Sequence, residues 1–363
     1  MPPRQREPEG GSHHHGQTPV TVVIDHSDHP AFTAAALDAH APAAGRITVH
    51  PTPAVGTAAA LAQDVLHALG KTVIGTREQH GTWADSLHPP WNAACAWTSA
   101  HGIDHLIVTR AHQLTTRRLH QLLGLRRRNG IRLTLLWHTR PTSVLATALD
   151  GTAYRLTEDL PTALTQPQQP RHTPARHGTA GRPHDQPLPG RHQTAWISPP
   201  RPSRGQVVPR PPRVQCPGAE QPCSAITPAT AAEPDDHDQT TGHLTARLHT
   251  LAHPLHAAAP AAATLTGAGL ERLALIRGTD IDTAATHLKT HDSPAHRRCR
   301  LHPLPTWARP LLNAAARYHH LDGRPPDAAL LPLVTARNGI HLATCTKLLR
   351  LRLPTPTSTH TEP

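Results

Sequence analysis

Residues 103–137 read IDHLIVTRAHQLTTRRLHQLLGLRRRNGIRLTLLW, and this stretch decides the fold. Its two ends, Ile103–Val108 and Ile131–Trp137, are short apolar runs typical of buried strands. Between them, Thr115–Arg128 has the length and pattern of a helix, and Asn129-Gly130 closes it as a C-cap does. A strand, a helix of about 10 to 15 residues and a second strand predict parallel α/β architecture.

The same alternation continues toward the N-terminus. Three further strand patterns are Thr21–Asp25, Arg46–His50 and Thr72–Gly75. The helical patterns Ala58–Leu69 and Trp91–His101 each end at a glycine, which is a C-cap signal. We therefore predict an α/β domain with a parallel sheet over residues 19–164.

Residues 242–353 again contain helical and strand patterns, and they predict a mainly α domain with a β-hairpin. The hairpin is expected over Thr286–Leu301. The predicted helices are Leu244–Ala258, Leu270–Ile276, Trp307–His320 and His341–Leu351.

Residues 165–241 have a different character, because they are rich in Pro, Arg and His. Such a segment cannot bury enough apolar surface to fold, so we predict a disordered, basic linker between the two domains. Disordered tails are expected at residues 1–18 and 354–363. The N-terminal tail has no apolar h-region and is therefore not a signal peptide, although His13–His15 can bind metal adventitiously.

The composition favours a polyanion as partner. The formal net charge is +11 and nearly all of the positive charge is arginine, since the chain has only Lys71, Lys289 and Lys347 as lysines. A basic excess favours nucleic acid, but heavy use of Ala, Arg, Pro and His is also what a GC-rich genome produces. Charge alone leaves these two explanations open.

Cysteine usage and hydropathy bear on location. The five cysteines are scattered and odd in number, which argues against a disulfide framework and fits a reducing cytosol. No apolar run approaches the roughly 20 residues of a spanning helix. We therefore predict a cytoplasmic protein without a membrane partner.

A nucleotide-binding loop would follow a strand and precede a helix, as Pro51–Ala58 does. In the GxxxxGK[ST] pattern this octet keeps only Gly56, and Thr57 and Ala58 stand at the Lys and Ser/Thr positions. In order and spacing, residues 45–140 resemble AAA-type ATPases, including those that accompany transposition. The resemblance implies a P-loop-like domain whose nucleotide site, Gly56 and Thr57, is degenerate.

The same resemblance places a magnesium-binding strand at Ile103–Val108. Its Asp and Glu positions hold Thr109 and Arg110, so the carboxylates that would bind magnesium and orient water are missing. We expect no ATP hydrolysis from this segment.

The stretch Leu265–Asp282, LTGAGLERLALIRGTDID, resembles the opening of the catalytic domain of tyrosine recombinases, the phage-type integrases. The resemblance extends through the predicted hairpin and the proline-led helix after it. The family's first catalytic arginine falls on Gly269 and its glutamate falls on Arg272, while Lys289 is the candidate hairpin lysine.

The nucleophile of that family is also missing. Its tyrosine box has no counterpart before the sequence ends at Pro363, and neither Tyr154 nor Tyr318 lies in such a box. Without the tyrosine there is no covalent phosphotyrosine step. The resemblance therefore implies a surface that faces DNA without cutting it.

Candidate DNA contacts come from the basic helix and from the hairpin. They are Arg117, Arg118, Arg126, Arg127, Arg128, Lys289, Arg297, Arg298 and Arg300. Cations at the C-terminal turn of a helix also stabilise its dipole, and this explanation stays open for the helix arginines.

Other chemistry is weakly indicated. Cys216 and Cys223 lack a matching His pair for zinc. Asp25–His29 follows a strand and could bind a metal, but a solvated loop is the favoured interpretation. We predict no catalytic residue, no metal and no cofactor.

The sequence thus predicts a non-catalytic accessory protein of a mobile element, related to DNA recombination or integration. Its predicted partners are DNA or a recombinase or transposition protein. The alternatives are a divergent nucleotide-binding, ATPase-like protein and a decaying reading frame without selected function.

Overall fold

The N-terminal half folds around a five-stranded parallel sheet. The computed structural model describes residues 18–53, 59–72, 88–141, 143–165, 226–228, 238–282, 284–291 and 299–331. The strands of the sheet are β1 (Val20–Ile24), β2 (Arg46–Val49), β3 (His105–Val108), β4 (Arg132–Trp137) and β5 (Tyr154–Thr157). Their order is β2-β3-β4-β1-β5, and every pairing is parallel. The predicted parallel α/β sheet is confirmed.

Among the described residues, six α-helices accompany this sheet. They are α1 (Pro30–Asp38), α2 (Ala60–Ala68), α3 (His88–Ala100), α4 (Thr116–Asn129), α5 (Ser143–Ala148) and α6 (Leu160–Thr165). The helices α1 and α6 pack on one face, where Val23, Ile107 and Leu136 are buried. The opposite face is covered by α2, α3 and α4. The central strands are buried on both sides, which explains why they are almost continuously apolar.

The strand order creates one special position in the sheet. The connection that leaves β1 runs to the far edge at β2, whereas the connection that leaves β4 crosses β1 to reach β5 at the other edge. The loops after β1 and β4 therefore diverge to opposite faces, although the two strands are neighbours. In open α/β sheets ligands bind in the crevice at such a switch point, at the carboxyl ends of the strands.

The C-terminal half is mainly helical and contains the predicted hairpin. Its helices are α7 (Asp238–His249), α8 (Pro254–Thr266), α9 (Leu270–Leu273) and α10 (Arg309–Leu321). The hairpin consists of β7 (His287–His291) and β8 (Cys299–Pro303), which pair antiparallel. The helix predicted at His341–Leu351 lies outside the described residues.

One predicted helix is wrong in extent. Leu244–Ala258 is divided between α7 and α8, because Pro254 disfavours helical backbone in the residue before it. That residue, His253, has extended backbone and caps α8 by accepting a hydrogen bond from Leu255 N. The helix predicted at Leu270–Ile276 is also shorter, and it ends at Leu273.

Two parts of the predicted linker are ordered elements. Ile226–Pro228 forms β6, which pairs in parallel with β8, and α7 begins at Asp238. The rest of the predicted linker lies almost wholly outside the described residues, as do the tails. The strand predicted at Thr72–Gly75 is described only at Thr72, which bridges Leu251.

The two halves share one hydrophobic core. Apolar side chains of α2, α3 and α4 form a single buried cluster with those of α8 and α10. Polar contacts cross the same junction: Trp97 Nε1 donates to the carbonyl of Ala252 at 2.7 Å, and Lys71 Nζ donates to that of His249 at 2.6 Å. The helical half therefore packs directly on the helical layer of the sheet.

Within the part of the chain that the structure describes, no helix combines the length and the apolar character needed to cross a membrane.

Candidate ligand crevice and basic face

The loop after β1 starts with a buried carboxylate. Asp25 is 3% exposed, and its Oδ1 accepts hydrogen bonds from the backbone N–H and the hydroxyl of Ser27. Its Oδ2 accepts from His29 N at 2.7 Å. These bonds fold residues 25–29 into a tight turn, in which Asp28 adopts left-handed backbone with φ 49°. The turn leads directly into α1 at Pro30.

A histidine from the neighbouring strand end meets this carboxylate. His138 follows β4, and its Nδ1 lies 3.0 Å from Asp25 Oδ2 and 3.2 Å from Asp28 Oδ1. The His138 side chain is buried, whereas that of Asp28 is 57% exposed. His138 Nε2 is buried and has no hydrogen-bond partner among the described residues. Three groups that can bind a metal thus meet at the switch point.

Hydrogen bonding keeps Asp25 ionised. Burial by itself raises the pKa of this carboxyl, but the bonds from His138, Ser27 and His29 outweigh it and lower the pKa below the ordinary value. The neighbouring His112 is held neutral, because burial and the nearby His138 lower its pKa. Its ring stands edge-on to that of His138, with the centroids 5.6 Å apart. The crevice therefore combines a fixed negative charge with a neutral imidazole.

The loop after β1 does not offer a phosphate grip. Such a grip needs backbone N–H groups that point at the ligand. Here the N–H groups of Ser27 and His29 already donate to Asp25, and that of Ala31 donates to His29 Nδ1. Pro30 has no N–H at all. The crevice is chemically suited to a cation.

The structure places no carboxylate at the two predicted magnesium-binding positions at the end of β3. Thr109 at the end of β3 is fully buried, and its Oγ1 lies 2.8 Å from His50 Nδ1 at the end of β2. Arg110 follows in left-handed backbone. The predicted nucleotide residues Gly56 and Thr57 lie outside the described residues.

The arginines of α4 separate into buried and exposed groups. Arg117, Arg127 and Arg128 are exposed and Arg118 is half-buried. Arg126 is a correction to the predicted DNA contacts: it is 4% exposed and donates to the carbonyl of Thr18, so it anchors the start of β1. The reason is periodicity, since Arg126 falls on the face that carries Leu119 and Leu122.

Helix α10 adds the half-buried Arg317 to the exposed arginines of α4, and together they form a basic face, which we define as Arg117, Arg127, Arg128 and Arg317. Arg317 Nη2 donates to the carbonyl of Arg128. Burial lowers the pKa of His88 on α3, and the charges of Arg128 and Arg117 lower it further. The sequences of α3, α4 and α10 contain no Asp or Glu, and the described residues provide no ion pair to these arginines.

The hairpin candidates lie on another element. Lys289 is half-buried on β7 opposite Leu301, and Arg300 is exposed on β8 opposite Thr290. Arg297 and Arg298 lie outside the described residues. Among its described residues, the hairpin therefore contributes one clearly exposed cation, Arg300.

The C-terminal half contains a buried hydrogen-bond network that the sequence did not predict. His291 Nε2 lies 2.9 Å from Asp280 Oδ2, and His291 Nδ1 lies 3.1 Å from Cys299 Sγ. Nucleophile, base and orienting carboxylate occur in this order in cysteine enzymes. All three side chains are buried, with Cys299 1% exposed, so a substrate cannot reach the thiol in this conformation. A hairpin register pairing His291 with Cys299 would have found the contact.

Replacing Asp280 by alanine is expected to destabilise the protein by about 3 kcal/mol. The substitution removes the acceptor of the buried His291 Nε2–H and of the half-buried Arg277 N–H. Urea unfolding followed by circular dichroism measures the change. Asp280→Asn retains one acceptor oxygen and should lose clearly less. Equal losses for the two variants would contradict a role based on hydrogen bonding.

Comparisons with known proteins do not assign this chain: no family model, no curated protein and no solved structure matches it. The resemblances to AAA-type ATPases and to tyrosine recombinases therefore remain predictions.

Proposed function

We propose that this protein binds duplex DNA through the basic face and that it does so without cutting the DNA. The observation that carries the proposal is the combination of exposed arginines on α4 with the absence of Asp and Glu from the sequences of α3, α4 and α10. Solvated surface helices usually carry both signs of charge, which limits long-range attraction to polyanions. Among their charged side chains, the helices that form the basic face carry only positive ones.

The spacing on α4 fits the dimensions of DNA. Arg117 and Arg128 are eleven residues apart, so they lie on the same face of the helix, about 16 Å from each other. The major groove of B-DNA is about 12 Å wide. A helix of this length can therefore contact phosphates on both sides of the groove, while Arg317 adds a contact from α10.

The accessory role in recombination or integration rests on the resemblance of residues 242–353 to tyrosine recombinases. That resemblance supports DNA as the polyanion and supports a function without strand cleavage. The nucleotide-binding alternative is less well supported, because Thr57 and Ala58 stand at the Lys and Ser/Thr positions of its predicted loop.

Binding is expected to fall steeply with salt. Four phosphate contacts give a slope of about −3.6 for log K against log salt, so affinity should drop about 100-fold between 50 and 200 mM. Fluorescence anisotropy of a labelled 30-base-pair duplex (a length of about three helical turns) measures both values. A lack of binding at 50 mM salt would overturn the proposal.

Matched variants separate phosphate contact from other roles of the arginines. Arg117→Gln and Arg128→Gln should each reduce the salt slope by about 0.9. Arg140→Gln removes the same charge from an exposed site after β4 and should leave the slope unchanged. If all three variants weaken binding equally, net charge alone is responsible and the basic face is not the site.

A further inference from the structure

We propose that the switch-point crevice binds a divalent transition metal through Asp25, Asp28 and His138. Each of the three side chains offers one ligand atom within 4.8 Å of the other two, and the carboxylate oxygens in contact with His138 Nδ1 are Asp25 Oδ2 and Asp28 Oδ1. Two carboxylate oxygens and one imidazole nitrogen form a mixed O/N set that suits first-row transition metals.

The distances agree with metal coordination. In octahedral or tetrahedral sites with bonds of about 2.1 Å, neighbouring ligand atoms are about 3.0 to 3.4 Å apart. His138 Nδ1 lies 3.0 Å from the Asp25 oxygen and 3.2 Å from the Asp28 oxygen. Both separations fit two edges of such a coordination shell, so little movement is needed to admit the ion.

Protons alone satisfy this cluster poorly. A neutral imidazole has one N–H, and at Nδ1 it must be shared between two carboxylate oxygens. A divalent cation bound at Nδ1 offsets the repulsion between the two carboxylates, and the single imidazole proton is then carried by Nε2.

The location supports the assignment independently of the side chains. The crevice between β1 and β4 is the switch point of the sheet, where ligands bind in open α/β folds. Since the N–H groups of the turn are used by Asp25, an anion is disfavoured there. The exposed Asp28 leaves one side open to solvent, so water or a substrate oxygen can complete the coordination.

Mn²⁺ is the probe that tests this site, because the chain has 32 histidines. Imidazoles elsewhere in the chain, including those of His13–His15, bind Zn²⁺ and Ni²⁺ strongly, whereas Mn²⁺ binds them weakly and prefers carboxylates. The electron paramagnetic resonance signal of free Mn²⁺ disappears on binding. We expect one equivalent to bind to the full chain. No binding with Mn²⁺ in excess of the protein would overturn the proposal.

Asp28→Asn is the decisive variant. Asp28 is exposed and has left-handed backbone, which asparagine also tolerates, so folding should be preserved. Losing one charged ligand should weaken Mn²⁺ binding at least about 10-fold. Asp38→Asn removes the same charge at the exposed end of α1 and should bind like the wild type. Equal affinities for the two variants would refute the site, while DNA binding by the basic face would be unaffected.

Discussion

Lowering the pH from 7 to 5 is expected to reduce the free energy of unfolding by up to about 4 kcal/mol through His101 and His105 alone. Burial lowers the pKa of both side chains to about 3, whereas histidines of an unfolded chain titrate near 6.5. Between these values the unfolded chain takes up protons that the folded protein refuses. Stability is therefore present above about pH 6.5 and is lost as the pH falls toward 3.

The contacts of His105 explain why it resists protonation. Arg132 Nη2 lies 3.1 Å from its Nδ1, and its Nε2 lies 2.9 Å from Thr134 Oγ1. A guanidinium can only donate, so Nδ1 must keep its lone pair. Protonation would place two cations in contact inside the sheet, since His105 is 1% exposed.

Urea unfolding at pH 7, 6 and 5 measures this effect. His105→Asn keeps an acceptor for Arg132 but cannot be protonated, so its loss of stability from pH 7 to 5 should be about 2 kcal/mol smaller. His120→Asn, at an exposed position of α4, should keep the wild-type profile. A wild-type stability that stays constant over this range would contradict the prediction.

Further histidines act in the same direction in the C-terminal half. Burial lowers the pKa of His253 well below its ordinary value, and the charge of His256, stacked at 4.1 Å between ring centroids, adds to this. Burial likewise lowers the pKa values of His249, His302 and His319. Acid sensitivity should therefore extend through both halves of the molecule.

The sheet could be predicted from the sequence because each strand has a signal within its own residues. Ile131–Trp137 is apolar enough to be buried on both faces, and the glycines after α2, α3 and α4 mark the helix ends. Strand order has no such local signal. The sequence alone predicts a degenerate nucleotide loop after β2, at Pro51–Ala58, and gives no indication that the switch point lies after β1 and β4.

The metal-binding cluster could not be read from spacing for the same reason. Asp25 and His138 are 113 residues apart in sequence, and only the pairing of β1 with β4 brings them together. Asp25–His29 was interpreted as a solvated loop, which describes His26 and Asp28 correctly but not Asp25. Whether a residue that follows a strand is buried cannot be predicted until the neighbouring strand in the sheet is known.

Replacing Trp97 by alanine is expected to lower the free energy of unfolding by about 3 to 5 kcal/mol. Trp97 on α3 is fully buried and lies where the two halves meet. Its ring stacks on His101 and supports Lys71, whose Nζ lies 3.7 Å from the ring centroid. The substitution removes this packing together with the hydrogen bond from Nε1 to the carbonyl of Ala252. Urea unfolding at pH 7 measures the loss.

Two variants divide this loss into its parts. Trp97→Phe keeps most of the ring but leaves the Ala252 carbonyl without its donor, so it should lose about 1 to 2 kcal/mol. Trp91→Ala removes a buried tryptophan whose Nε1 has no partner among the described residues, so its loss should come from packing alone. A Trp97→Ala loss below about 1 kcal/mol would contradict the role of this side chain in joining the two halves.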